Sequence, residues 1–159
     1  MDTFTVEITQ PHEESWHYLI GTNQWGIKYE IAVAIGVPRI IWISGPWRGA
    51  ASDPTIATQS GILEKIGNHE CLMTDKIYRG DRFSFLVPLP GHRSTLPNED
   101  NAYNYLIYAV RQTVERVICR LKIFGIFSGV WRYSFSFHAL CAHAAAKLCN
   151  LFLLYEPLG

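Results

Sequence analysis

The run GIKYEIAVAIGVPRIIWIS, residues 26 to 44, restricts the fold more than any other part of this chain. Ile27, Tyr29, Ile31, Val33 and Ile35 recur at every second position. An extended backbone puts all five on one side, whereas a helix would scatter them. Gly36-Val37-Pro38 then supplies a turn. RIIWIS follows as a strand, so apolar that it reads as central in its sheet. TFTVEI, near the N-terminus, alternates as well, with Phe4, Val6 and Ile8 on one face and Thr5 and Glu7 on the other. Residues 11–23 read as a loop.

Beyond the third strand the pattern changes period. Ser52 or Asp53 can cap a helix that has Pro54 at its first position, runs to about Ile66 and ends at Gly67-Asn68. ECLMTD reads as a fourth strand. FSFLVPLP reads as a short edge strand, since its prolines exclude a central place. From about Glu99, apolar residues recur at steps of three and four: Tyr103, Leu106, Ile107, Val110, Val114, Val117, Ile118 and Leu121. That stripe defines the buried face of a long helix. Gly125 and Gly129 break the chain before a last helix over 136–154. His138, His143, Lys147 and Asn150 interrupt that helix, which reads as a buried helix rather than a membrane span. With 159 residues the chain is a single domain with room for a core. The element order resembles a ribonuclease H-like α/β fold, a mixed sheet flanked by helices.

Charge and cysteine usage narrow the function classes. Hydrophobic content of 48% and charged content of 18% exclude a disordered chain. Net charge is zero but unevenly spread. Asp2, Glu7, Glu13, Glu14 and Glu30 face Lys28 alone in the first 30 residues. Arg111, Arg116, Arg120, Lys122 and Arg132 face only Glu115 over residues 111–132. Such asymmetry points to a polyanion or a metal. The N-terminus is acidic and polar, unlike a signal peptide. Cys71, Cys119, Cys141 and Cys149 lack CxxC spacing and lie in apolar runs, so buried free thiols in a reducing compartment are expected. His138, Cys141, His143 and Cys149 do not converge on one point of a helix as zinc ligands must. Trp47 and Trp131, each beside an arginine, are candidates for stacking on bases, whereas Trp42 reads as core.

Asp75 is the residue that an ordinary strand does not need. It ends LMTD, with Lys76, Tyr78 and Arg79 directly behind it. It is either a turn former or a carboxylate at the ligand crevice of an open α/β sheet. On the long helix, at about 100° per residue, Arg111 lies about 40° and Lys122 about 20° from Glu115. This is either a solvated face with an i,i+4 pair or an acid flanked by cations. Asp2, at the head of the first strand, is a third acid. Three carboxylates on neighbouring elements repel unless cations neutralise them, and hard oxygen donors suit Mg²⁺ or Mn²⁺. Asp53 is either a helix cap or a further acid of that site.

Five segments in order resemble the nuclease domain of PIF/Harbinger-type transposases, of the DDE superfamily endonucleases. They are MDTFTVEITQP, WISGPWRGAASD, LMTDKIYRG, RQTVERVICRLKIFG and FHALCAHAAAKLCN with the EPL that follows. The resemblance implies catalytic, metal-holding roles for Asp2, Asp75 and Glu115, with 72 and 39 residues between successive acids. It implies Lys76, Arg79, Arg111 and Lys122 at DNA phosphates, a Mg²⁺ or Mn²⁺ cofactor, and cutting of DNA in the nucleus. It also implies a separate DNA-binding protein as partner, leaves room for a homo-oligomer and involves no membrane. Thr3 and Phe4 stand where the family has Gly-Thr, and Ile77 where it has glycine. The chain begins one residue before Asp2, so the first strand is expected to be incomplete and a helix-turn-helix region absent. Three readings stay open: a metal-dependent nuclease, a catalytically silent binding module descended from one, and an α/β domain with no nucleic-acid role.

Overall fold

A computed structural model describes residues 1–11, 15–21, 24–78, 85–92 and 94–158. Strand β1 (Asp2–Glu7) pairs antiparallel with β3 (Gln24–Ala34), matching Asp2 to Ile31, Phe4 to Tyr29 and Val6 to Ile27. Matched residues project to the same side of a sheet. Phe4, Val6, Ile27, Tyr29 and Ile31 therefore form one buried apolar surface, as the alternation predicts. On the other side of β3, strand β4 (Arg39–Arg48) pairs antiparallel through a turn at 35–38. A short strand, β2 (Leu19–Gly21), also joins β3, inside the segment expected to be loop.

β3, not β4, is the central strand. It takes partners on both sides and is buried on both faces, Glu30 and Ala32 included. β4 pairs only with β3 among the described residues, and its Ile41 is exposed. Apolar content misled here because a helix, rather than another strand, covers β4. Asn150 of that helix accepts from the Ile40 N–H and donates to the Ile40 carbonyl, both at 2.8 Å. Its carboxamide satisfies the backbone as a neighbouring strand would. Ile35 also leaves its predicted face, being exposed in the turn.

The Met1 ammonium donates to the Met73 carbonyl at 2.7 Å. Met73 belongs to β5 (Leu72–Met73), which runs parallel to β6 (Phe85–Leu86). β5 is shorter than ECLMTD suggests, and Cys71 lies exposed outside it. Cys119 is exposed as well, so only Cys149 is the buried thiol expected of all four.

Helix α1 (Asp53–Gln59) starts from Ser52, whose Oγ accepts from the Thr55 N–H, with Pro54 in the first turn. It stops short of Ile66 because Gly61 adopts φ +83°, a left-handed conformation that ends a helix. Helix α2 (Asn98–Leu121) buries Ile107, Val114, Val117, Ile118 and Leu121. Leu106 is on its predicted stripe but is exposed. The first half of α2 meets the 85–92 segment, where Asn104 bonds the Leu89 backbone and Tyr103 the Val87 carbonyl. A short helix, α3 (Gly125–Ser128), replaces the expected glycine break and sets Phe127 edge-on against both Phe4 and Tyr29.

Helix α4 (Phe135–Tyr155) is capped by Ser134. It buries His138, Ala142, Ala145, Ala146, Cys149 and Leu153. Phe137, Leu140, Leu148, Leu151, Leu154 and Tyr155 are exposed, so it is buried along one face only. By length and composition alone α4 could cross a membrane. A core helix meets the same test, and the small residues of its inner face pack it against the sheet.

Candidate active site

Three separate elements bring Asp2, Asp75 and Glu115 to one point, and that point is Arg111. Asp2 heads β1 on the face that α2 covers, as its match to Ile31 requires. The Thr3 N–H fixes its Oδ1 at 2.8 Å. Asp75 follows β5, which is anchored by the Thr74 N–H on the Leu86 carbonyl at 3.0 Å. The Asp75 carboxylate accepts from the Lys76 N–H, and its carbonyl accepts from the Tyr78 N–H at 3.2 Å. Asp75 thus shapes the single 3₁₀ turn Lys76–Tyr78 while facing the other acids. Glu115 lies one helical turn after Arg111 on α2.

The Arg111 guanidinium lies 3.4 Å from Asp75 Oδ1, 3.7 Å from Glu115 Oε1 and 3.8 Å from Asp2 Oδ2. It is largely buried, whereas Glu115 is half exposed. Burial raises the Asp2 carboxyl above its ordinary range, against the lowering pull of the Thr3 N–H and Arg111. Burial also pushes the neighbouring Met1 ammonium down to about 6.

The donors suit a hard divalent cation in kind: three carboxylates turned toward one place, with a guanidinium there as a stand-in cation. They flank the guanidinium rather than one another. Among the described residues, no three acidic, His or Cys side chains are spaced to hold a metal ion.

Of the predicted cations, Lys76 is exposed beside Asp75 and Lys122 is exposed at the end of α2. The Lys122 ammonium lies 5.9 Å from the Phe4 ring centre. Arg111 turns inward to the acids, and Arg79 lies outside the described residues. Asp53 is taken up elsewhere: it pairs with Lys28 at 3.0 Å, and Lys28 also donates to the Ala51 carbonyl. Ser52, not Asp53, is the cap.

The other candidates resolve into packing. His138 is fully buried, with Nε2 at 2.9 Å from the Ile126 carbonyl and Nδ1 at 2.8 Å from the Tyr29 hydroxyl. A carbonyl only accepts, so Nε2 carries the proton and Nδ1 accepts from Tyr29. Cys149 is buried and His143 exposed, which disperses the zinc-like set. Trp131 is buried, its backbone tied to Glu7 and Thr9 and its indole to the Ser134 carbonyl. It is therefore not placed to stack on bases. The Trp47 indole donates to Ser44 Oγ.

Glu30 escaped notice in the sequence beyond its charge. It is fully buried, and its Oε2 accepts from the Trp42 indole at 3.1 Å. Glu30 Oε1, Thr74 Oγ1 and the Tyr78 hydroxyl are buried with no hydrogen-bond partner among the described residues. The available signal was a lone carboxylate inside an apolar run, YEIAVA.

The chain is thus a mixed α/β domain whose separate elements aim three acids at a single cation. The family model of the DDE superfamily endonucleases matches residues 1–150, and the chain belongs to that family. No curated protein and no solved structure matches it.

Proposed function

We propose that this chain is a divalent-metal-dependent DNA endonuclease domain of the PIF/Harbinger transposase type, with Asp2, Asp75 and Glu115 as its acids. The observation that carries this reading is their meeting at Arg111 from β1, the end of β5 and α2. Asp2 is mostly buried and Asp75 and Glu115 are partly exposed, yet elements far apart in sequence bring all three to one guanidinium. Asp2, Asp75 and Glu115 would hold Mg²⁺ or Mn²⁺, which supplies Lewis-acid stabilisation and an activated water or hydroxyl for phosphodiester cleavage. The chain's own contribution is placement. The Thr3 N–H orients Asp2, the 76–78 turn orients Asp75, and the helical repeat orients Glu115. Lys76 and Lys122, both exposed, would meet the phosphates of DNA. A nuclear location and a separate DNA-binding protein as partner belong to this reading.

The direct test is nicking of supercoiled plasmid in Mn²⁺, with EDTA and Asp75→Asn as controls. Metal-dependent nicking that Asp75→Asn abolishes supports the reading. Nicking that survives the substitution removes Asp75 from the mechanism.

A second reading is a silent DNA-binding module, favoured by the absence of a metal-spaced acid trio among the described residues. A gel shift with duplex DNA, without cleavage in Mg²⁺ or Mn²⁺, would select it.

A further inference from the structure

Arg111 does something that neither a phosphate contact nor a helix-surface ion pair explains. Among the described residues it is the side chain that touches all three acids. We propose that Arg111 is the resident cation of the acid site: it holds the three carboxylates together in the metal-free protein and has to leave before a divalent ion can bind. This rests on the three-acid reading above and adds a positioning role for Arg111 within it.

Charge is the first argument. One guanidinium faces three carboxylates, so the cluster keeps an excess of negative charge when Arg111 is present and a larger one when it is absent. Like charges so placed spread apart or take up protons unless a cation sits among them. Arg111 supplies that cation from the chain itself.

Geometry is the second. A locked arginine–carboxylate fork makes paired bonds of about 2.7–2.9 Å. Here the contacts run from 3.4 to 3.8 Å, and the buried Nε–H has no hydrogen-bond partner among the described residues. The guanidinium is shared three ways and held by charge rather than by fixed bonds. It also lines a cleft with Met1, Leu72, Met73, Val110 and Val114, which leaves the side chain space to swing away.

Helical spacing is the third. Glu115 is the i+4 neighbour of Arg111, so freeing Arg111 frees Glu115 on the adjacent turn. A divalent ion and the guanidinium compete for the same carboxylates, and the apparent metal affinity is reduced by the fraction of molecules in which Arg111 occupies the site.

The test is Mn²⁺ titration of the full chain, followed by the electron paramagnetic resonance signal of free Mn²⁺, together with thermal midpoints without metal. Wild type, Arg111→Gln, Arg111→Lys and Asp75→Asn are compared. Arg111→Gln is expected to bind Mn²⁺ more tightly, on the order of tenfold. Its metal-free midpoint should fall, and Mn²⁺ should restore it. A merely structural arginine would lower the midpoint without tightening Mn²⁺ binding. If Arg111→Gln fails to fold, Arg111→Lys decides, because it keeps the charge but replaces the wide guanidinium fork by a compact, strongly hydrated ammonium. It should bind Mn²⁺ more tightly than wild type does. Mn²⁺ binding that Asp75→Asn abolishes, with neither Arg111 variant tighter than wild type, overturns the role of Arg111 and leaves the acid site standing. No Mn²⁺ binding by any of the four overturns both.

Discussion

Tyr29 and His138 place two polar groups in the middle of an aromatic core. Phe4, Phe127 and Trp131 surround them, with Trp131 4.6 Å from the imidazole, centre to centre. Phe127 is wedged edge-on against both Phe4 and Tyr29, so Phe127→Ala should cost about 3–5 kcal/mol in chemical denaturation. Burial holds His138 below its ordinary pKa of 6.5. As pH falls, the unfolded chain takes up the proton first. The stability contribution is therefore full above about 6.5 and declines below it. The thermal midpoint should drop between about pH 7 and 5.5, and His138→Gln should flatten that slope; equal slopes would count against the neutral buried imidazole. Glu30 has the opposite sign. Burial raises its carboxyl, so the ionised form is penalised increasingly as pH rises through the folded value. Glu30→Gln keeps an acceptor for the Trp42 indole and should be more stable than wild type at pH 8, losing that advantage near pH 4. None of these environments was visible in sequence. Residue type announces a titratable group, but burial and partners come from segments as distant as Tyr29 and His138.

At the scale of elements, periodicity located the structure well and its limits poorly. The stripe on α2 named five residues that the fold buries, but it also named Leu106. A helical period shows which face is apolar and not how far the surface beneath it extends. The apolar run of β4 suggested a central strand, yet the Asn150 carboxamide of α4 takes the neighbour's place at Ile40. Asn150→Ala should leave the Ile40 N–H and carbonyl unpaired and cost about 1–3 kcal/mol, read from the shift in denaturation midpoint. Ser52→Ala should cost about 1 kcal/mol through the lost cap of α1, while Asp53→Ala acts through the Lys28 pair instead. The sequence left Ser52 and Asp53 as equal candidates, because both residue types cap helices and only the backbone decides which one stands at the cap.

Over the whole molecule, the acidic start of the chain and the basic stretch of α2 meet at one site. Asp2 and Arg111 are the ends of that contact. Binding to DNA through Lys76 and Lys122 would weaken steeply with salt, and replacing both lysines by Ala should weaken binding and flatten the salt dependence in a titration with labelled duplex. What the sequence determined by itself was the alternation that makes β1 and β3 and the stripe that makes α2, while the choice of Asp2, Asp75 and Glu115 rested on the family resemblance of the segments around them. The strands and the helix follow from local rules: side-chain period and turn residues. What only the tertiary structure decided was that β3 is central, that His138 and Trp131 are core, that Glu30 is buried, and that Arg111 stands among the acids. These depend on which elements lie against each other, and a contact between Asp2, Asp75, Arg111 and Glu115 is fixed by the packing of α2 across β1 and β5, not by any stretch of chain that contains them.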